Sequence, residues 1–191
     1  MIDEPSLRAL LEESGALREG HFRLSSGLHS PAYVQCALLL QEPARARRLG
    51  GELARRLAEH RPESVLSPAL GGVVIGHEVA AALGVPFRFT ERQEGAMALR
   101  RGFALRPGER VAVVEDVVTT GKSTRECAAV ATASGAEVVA IGSILDRSGG
   151  RHGFEAPYVA LMALDLPAYD PAECPLCRAG GPIEKPGSRP G

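Results

Sequence analysis

Four strand candidates, Ser64–Pro68 (SVLSP), 85–90 (VPFRFT), 110–115 (RVAVVE) and 137–145 (EVVAIGSIL), recur through the middle of the chain with helical stretches between them. They read as continuous apolar runs and lack the alternation of a strand with one wet face. Strands of that kind must be covered on both sides, which predicts an α/β fold with a central, mainly parallel sheet flanked by helices. The intervening stretches carry the matching period. Over 44–60, Ala46, Leu49, Leu53 and Leu57 share one face, with Arg45, Arg48, Arg55 and Arg56 mostly off it. Gly72–Leu83 is apolar on all sides and predicts a buried helix closed by Gly84 and Pro86. Over 122–134, Cys127, Val130, Ala131 and Ser134 line one face, and Gly135 stops the helix.

The flanks are simpler. Leu7, Leu10, Leu11 and Leu17 predict a short amphipathic helix broken near Gly15. HFRLSSGLHSPAYVQC reads as two extended runs around a Ser-Ser-Gly turn, and 158–164 as a further strand. No internal repeat is visible. A chain of 191 residues fits one domain, placed at 1–183, with an N-terminal part at 1–40, a core at 41–167 and a C-terminal segment at 168–183. The tail 184–191 (EKPGSRPG) is rich in Pro and Gly and expected to be disordered.

A net charge of −1 argues against a broad nucleic-acid surface, which needs a clustered positive field. The only lysines are Lys122 and Lys185, so phosphate recognition must rest on guanidinium groups and backbone amides. The acidic, amphipathic start is no secretory leader, and no apolar run reaches the ~18 residues of a membrane span. Four scattered cysteines make no disulfide framework, and a cytoplasmic protein is expected.

The most informative segment is VAVVEDVVTTGKSTRE, starting at Val111. Its GKST resembles the end of a nucleotide-hydrolysing loop, which requires a glycine five positions before Gly121. That position holds Asp116, whose carboxylate would repel a phosphate, and β-branched Val117 and Val118 suit a strand end. The alternative is a strand ending in Glu115 and Asp116 and turning through TTGKS into a helix. Amides and hydroxyls of Thr119 to Ser123 would then cradle one phosphate at a helix N-terminus. The two acids cannot bind that phosphate, but they can bind neighbouring hydroxyls or a metal. A monophosphate beside a diol is a ribose 5-phosphate. The plainer alternative is a buried strand ending in a solvated acidic turn.

Glu115-Asp116-Val117-Val118-Thr119-Thr120-Gly121-Lys122-Ser123 resembles the phosphoribosyl-pyrophosphate signature of type I phosphoribosyltransferases. Phe22-Arg23-Leu24-Ser25-Ser26-Gly27 with Ser30-Pro31-Ala32-Tyr33 resembles the N-terminal hood of the orotate phosphoribosyltransferase family. Ser67-Pro68-Ala69-Leu70-Gly71-Gly72 is similar to its pyrophosphate loop, and Asp146-Arg147 to the segment carrying its orotate-contacting Arg. The resemblance runs from about Leu7 to Pro167. It implies Mg²⁺-dependent transfer of ribose 5-phosphate from phosphoribosyl pyrophosphate to orotate, in de novo pyrimidine biosynthesis. It also implies a homodimer in which a flexible loop, here 91–102 between Gly95 and Gly102, reaches the neighbouring site.

Roles follow residue by residue from the resemblance. Glu115 and Asp116 would hold the ribose hydroxyls and sit near the developing oxocarbenium charge, with Asp116 a candidate Mg²⁺ ligand beside the substrate's own oxygens. Val117 through Ser123 would bind the ribose phosphate, and Leu70 and Gly71 the pyrophosphate. Arg147, Tyr33, Val34, Ser26 and Thr119 would contact orotate. Well-known members carry lysines at the positions of Ser25 and Gly71, and a loop bearing Lys and His after an Arg-Lys pair. This chain has Arg92-Gln93 followed by a stretch without either, so Arg92, Arg100 and Arg101 are expected to neutralise the pyrophosphate.

Other features carry less. Cys174 and Cys177 form a lone C-x-x-C, half a zinc site that a dimer could complete, or a plain turn. Cys36 and Cys127 are expected in the core, His29 at the surface and His77 inside a buried helix. Two other functions stay open: transfer to a different base, and a regulator that binds phosphoribosyl pyrophosphate without catalysis.

Overall fold

The computed structural model describes residues 2–24 and 26–186. A small hairpin of β1 (Leu17–Arg23) and β2 (His29–Val34) follows helix α1 (Glu4–Glu13), whose Asp3 side chain caps the Ser6 amide at 3.0 Å. After α2 (Cys36–Leu40) and α3 (Pro43–Leu57) come β3 (Ser64–Pro68), α4 (Gly72–Leu83), β4 (Phe87–Gln93) and β5 (Ala96–Leu99). The chain continues through β6 (Arg110–Val118), α5 (Lys122–Ala133), β7 (Glu137–Asp146), β8 (Tyr158–Ala163) and the single turn α6 (Pro175–Arg178). The main sheet has the order β5-β4-β3-β6-β7-β8, and only β5 runs antiparallel. This is the α/β sheet expected from the unbroken apolar strands.

Each central strand divides its side chains between two cores. Ala112 and Val114 of β6 join α3 and α4 through Leu49, Leu53, Ile75 and Val79, while Val111 and Val113 face Cys127 and Ala131 of α5. Both Cys36 and Cys127 lie in these cores, as expected. Close approach depends on two missing side chains. A Cβ at Gly50 would stand 2.5 Å from Glu78 Cβ, and one at Gly76 would stand 2.1 Å from Ser67 Oγ. They let α3 meet α4, and α4 meet β3, at backbone distance.

At the N-terminal edge of the sheet a buried carboxylate joins three strands. Glu109 Oε1 accepts from Ser64 Oγ at 2.6 Å and from Arg88 Nη1 at 2.7 Å, and Oε2 accepts from the Arg106 amide at 2.9 Å. Burial pushes this carboxyl up, but the hydrogen bonds from Ser64, Arg106 and Arg88 together bring it down to about 2.

Several expectations change. Helix α4 is not buried all round: Ile75, Gly76, Val79 and Ala80 face inward, but Val74 is 44% exposed and His77 is also exposed. Apolar character alone cannot distinguish a face covered by the same chain from one left open. The proposed flexible loop 91–102 is largely a β hairpin, paired from Thr90↔Leu99 to Gln93↔Ala96 around a turn with positive φ at Glu94 and Gly95. The tail is not free at its start. Glu184 bonds through its backbone to His21 and Arg23, and its carboxylate meets Arg18 at 2.7 Å. Residues 187–191 lie outside the described residues.

Candidate active site

The sheet order sets the place of the site. From β3 the chain first moves outward to β4, then returns to the other side of β3 as β6. A reversal of this kind leaves a crevice beyond the strand C-termini, where ligands of open α/β sheets bind. The ends of β3 and β6 bring Leu70-Gly71-Gly72 against Glu115-Asp116.

Contact here is intimate. A Cβ at Gly71 would lie 2.7 Å from Asp116 Oδ1, and one at Gly72 would lie 3.1 Å from Glu115 Oε1. Both carboxyl groups therefore turn to the same side, toward this bare backbone. Ser123 Oγ donates to Glu115 Oε2 at 3.1 Å, and the Val117 amide donates to Asp116 Oδ1 at 2.8 Å. Burial, and next the Asp116 carboxylate, push Glu115 well above the usual carboxylate range. Burial also raises Asp116, partly offset by its hydrogen bonds with Glu115 and Val117. An acid pair whose ionisation is opposed by burial gains most when a cation or hydroxyl donors occupy the crevice.

Beside the acids, residues 117–124 and Arg92 line a polar cleft. Gly121, with φ of 71°, caps α5, and a Cβ there would meet His152 O at 2.6 Å. Arg125 holds the turn from below, donating through Nη1 to Thr120 O at 2.8 Å and also to His152 O. The result is a fixed nest of amides at the start of a twelve-residue helix. Lys122 is exposed, and its ammonium lies 3.9 Å from Glu126.

Arg147 stands at the end of β7, where its amide donates to Val118 O at 2.7 Å. Its side chain is half-buried, and Nε has no partner among the described residues. Burial lowers the guanidinium pKa, with Tyr33 and Cys36 acting in the opposite direction. Tyr33, close enough to act on the Arg147 charge, is half-buried near the end of β2, and Val34 beside it is buried. Ser26 is exposed in the hairpin turn, and Ser25 lies outside the described residues.

The three arginines assigned to the pyrophosphate separate. Arg92 lines the cleft, donates to Gly95 O at 2.7 Å and pairs with Glu126 of α5. Arg101 instead forms a two-pronged pair with Glu91, at 2.8 and 2.9 Å, and lies over the Phe89 ring. Arg100 is exposed beyond β5 and does not line the cleft.

Sequence reasoning missed a second group. His29 is buried at 5% exposure, not at the surface, and meets His21 and Cys177, while His21 reaches both Cys174 and Cys177. The signal was a C-x-x-C in a chain with two histidines on one predicted hairpin.

A mainly parallel sheet with a carboxylate pair leading into a phosphate nest at its switch point defines a type I phosphoribosyltransferase. Solved structures share the architecture. An orotate phosphoribosyltransferase from Aeropyrum pernix superposes with a TM-score of 0.68 at 27% identity, over 83% of this chain and 93% of that one. No family model matches the sequence. Curated relatives are much nearer in sequence. The orotate phosphoribosyltransferase of Thermotoga maritima is 53% identical over 183 residues, covering 96% of this chain and 98% of that protein. That of Heliobacterium modesticaldum is 50% identical over 182 residues, covering 94% and 95%. The chain belongs to the orotate phosphoribosyltransferase family.

Proposed function

We infer that the chain transfers ribose 5-phosphate from 5-phospho-α-D-ribose 1-diphosphate to N1 of orotate, giving orotidine 5′-phosphate and diphosphate in pyrimidine biosynthesis. The observation that carries the acceptor is Arg147, a half-buried guanidinium near Tyr33 whose Nε has no partner among the described residues. Such a group needs an anion, and the carboxylate of orotate supplies one in the planar geometry a guanidinium prefers. A purine or uracil has no such carboxylate, which disfavours the other-base reading.

In this reading, amides and hydroxyls of residues 117–123 hold the 5′-phosphate, while Glu115 and Asp116 accept from the ribose 2′- and 3′-hydroxyls. The bond from C1′ to the diphosphate oxygen breaks, and its electron pair leaves with diphosphate. Positive charge spreads over the ribose ring, where the carboxylates stabilise it. The N1 lone pair of orotate closes on C1′, and the N1 proton is released. Backbone at Leu70 and Gly71, with Arg92, positions the leaving group, and Tyr33, Val34, Ser26 and Thr119 bound the pyrimidine.

The donor set suits Mg²⁺, since Asp116 presents a hard carboxylate to open backbone at Gly71. Held there with the substrate's own oxygens, the ion would supply charge that neutralises the diphosphate.

A homodimer is part of the proposal. Its support is the open face of α4, where Val74 is 44% exposed and Leu70 just before it 84% exposed. The β4–β5 hairpin is the element that would reach a neighbouring site. Among the described residues no helix is long and apolar enough to cross a membrane, and a cytoplasmic location is proposed for the chain.

Loss of orotate absorbance on mixing with phosphoribosyl pyrophosphate and Mg²⁺ tests the reading. Consumption of adenine, hypoxanthine or uracil instead would reassign the acceptor. No turnover of any base, with phosphoribosyl pyrophosphate bound, would leave a non-catalytic binding protein.

A further inference from the structure

Four side chains outside the acid pair converge on one point: His21 on β1, His29 at the start of β2, Cys174 at the N-cap of α6 and Cys177 within it. His21 Nε2 lies 3.0 Å from His29 Nδ1 and 3.7 Å from each sulfur, and His29 Nδ1 lies 3.2 Å from Cys177 Sγ. All four donor atoms fall within 4.8 Å of one another. A tetrahedral ion bound to nitrogen at ~2.0–2.1 Å and to sulfur at ~2.3 Å would space its ligand atoms by roughly 3.3–3.8 Å. Four of the six separations, at 3.0 to 3.7 Å, lie near those edges, and all six fall within 4.8 Å.

Hydrogen bonding alone explains the cluster poorly. A neutral imidazole nitrogen offers one proton or one lone pair, yet His21 Nε2 faces three heteroatoms. His21, His29 and Cys174 are nearly fully buried, at 7%, 5% and 1% exposure, so water cannot satisfy them. His21 Nδ1 is itself buried without a partner among the described residues. Burying four such groups face to face is costly unless something joins them.

The backbone is arranged to bring them together. His29 exchanges both backbone hydrogen bonds with Tyr169, at 2.9 and 2.8 Å. Fifteen residues later, Glu184 accepts from the Arg23 amide and donates to His21 O, each at 2.8 Å. The segment between these anchors passes over the turn end of the hairpin and carries both cysteines on one helical turn. On β1 the register shifts between Glu19 and Phe22, a bulge that includes His21 and re-aims its side chain.

We propose that His21, His29, Cys174 and Cys177 bind one structural Zn²⁺ within a single chain, clasping the C-terminal segment to the N-terminal hairpin. Two sulfurs and two imidazoles in a closed tetrahedron select zinc over Mg²⁺, which requires oxygen donors. Binding releases the thiol protons to solvent and leaves no open coordination position, so the ion is structural. This site is separate from the acid pair and stands whether or not the transfer reaction is as inferred.

The experiment measures metal in the intact chain, purified in a reducing buffer, stripped by chelation and then reloaded with Zn²⁺ alone. About one equivalent per chain is expected, as a single closed site requires. Co²⁺ in its place should give the intense visible bands of a tetrahedral ion with thiolate charge transfer. The Tm should fall on chelation and recover with Zn²⁺ but not Mg²⁺. Cys177→Ser, at the half-exposed ligand, should lose most of the zinc. Wild-type protein that retains no zinc after reloading, or an octahedral Co²⁺ spectrum, would overturn the site. So would a mass deficit showing a Cys174–Cys177 disulfide under reduction. The wild-type metal and Co²⁺ measurements decide the matter even if the variant does not fold.

Discussion

Glu109→Gln tests whether the carboxylate knot beneath β3, β4 and β6 stabilises the sheet that carries the site. The carboxyl falls from 4.5 to about 2, so at about 1.4 kcal/mol per tenfold change its ionised form contributes about 3.4 kcal/mol at neutral pH. The folded pKa is depressed, so the contribution is complete above the unfolded value and is lost as pH falls toward the folded one. At pH 3.5 the unfolded chain has already taken up the proton while the folded chain has not, and about 2 kcal/mol should remain. Glutamine removes the charge and turns an amide toward Ser64 and Arg88, leaving a guanidinium without its counter-ion. Urea unfolding of both proteins at pH 7 and pH 3.5 should give a stability gap of about 3 kcal/mol that narrows by about 1.4 kcal/mol on acidification. A gap below about 1 kcal/mol at pH 7, or one unchanged by pH, would refute the reasoning.

Three further substitutions probe the site. Asp116→Asn should lower kcat about 10²- to 10³-fold through lost stabilisation of the ribosyl cation, and steady-state assays in which kcat holds would remove Asp116 from the transition state. Arg147→Ala should raise the KM for orotate about 10- to 100-fold with that for phosphoribosyl pyrophosphate little changed, as expected for one charged hydrogen-bonded contact. Equal effects on both substrates would point to general damage. Gly121→Ala would force a Cβ to 2.6 Å from His152 O at a φ of 71°, costing about 1–3 kcal/mol and weakening phosphoribosyl-pyrophosphate binding. Calorimetric titration that shows native affinity would mean the nest tolerates the change.

Much of the fold could be read from local pattern. Strand β3 and helix α4 have the boundaries predicted from apolar runs and the Gly84 stop, because those signals lie within one element. Asp116, standing where a nucleotide hydrolase needs glycine, separated the acid pair and nest from an ATP-binding loop, since the chemistry of that junction is written in consecutive residues. Predictions failed where partners are distant in sequence. Arg100 and Arg101 follow Arg92 closely in the chain, yet Arg101, past the end of β5, folds back onto Glu91, while Arg92 lines the cleft. Val74 and His77 read as buried because hydropathy records what a side chain avoids, not which face a neighbour covers.

By itself, then, the sequence determined the layered α/β class, the sheet's central elements and the strand-to-helix junction that follows the acid pair. All depend on side-chain period and turn chemistry acting over a few residues. The tertiary structure alone decided that Gly71 meets Asp116, that Arg92 pairs with Glu126 of α5, and that His29 and Cys177 lie 3.2 Å apart across 148 positions of chain. Such meetings depend on strand order, register and loop closure, which are properties of the whole packed chain and leave no periodic trace in any one segment of it.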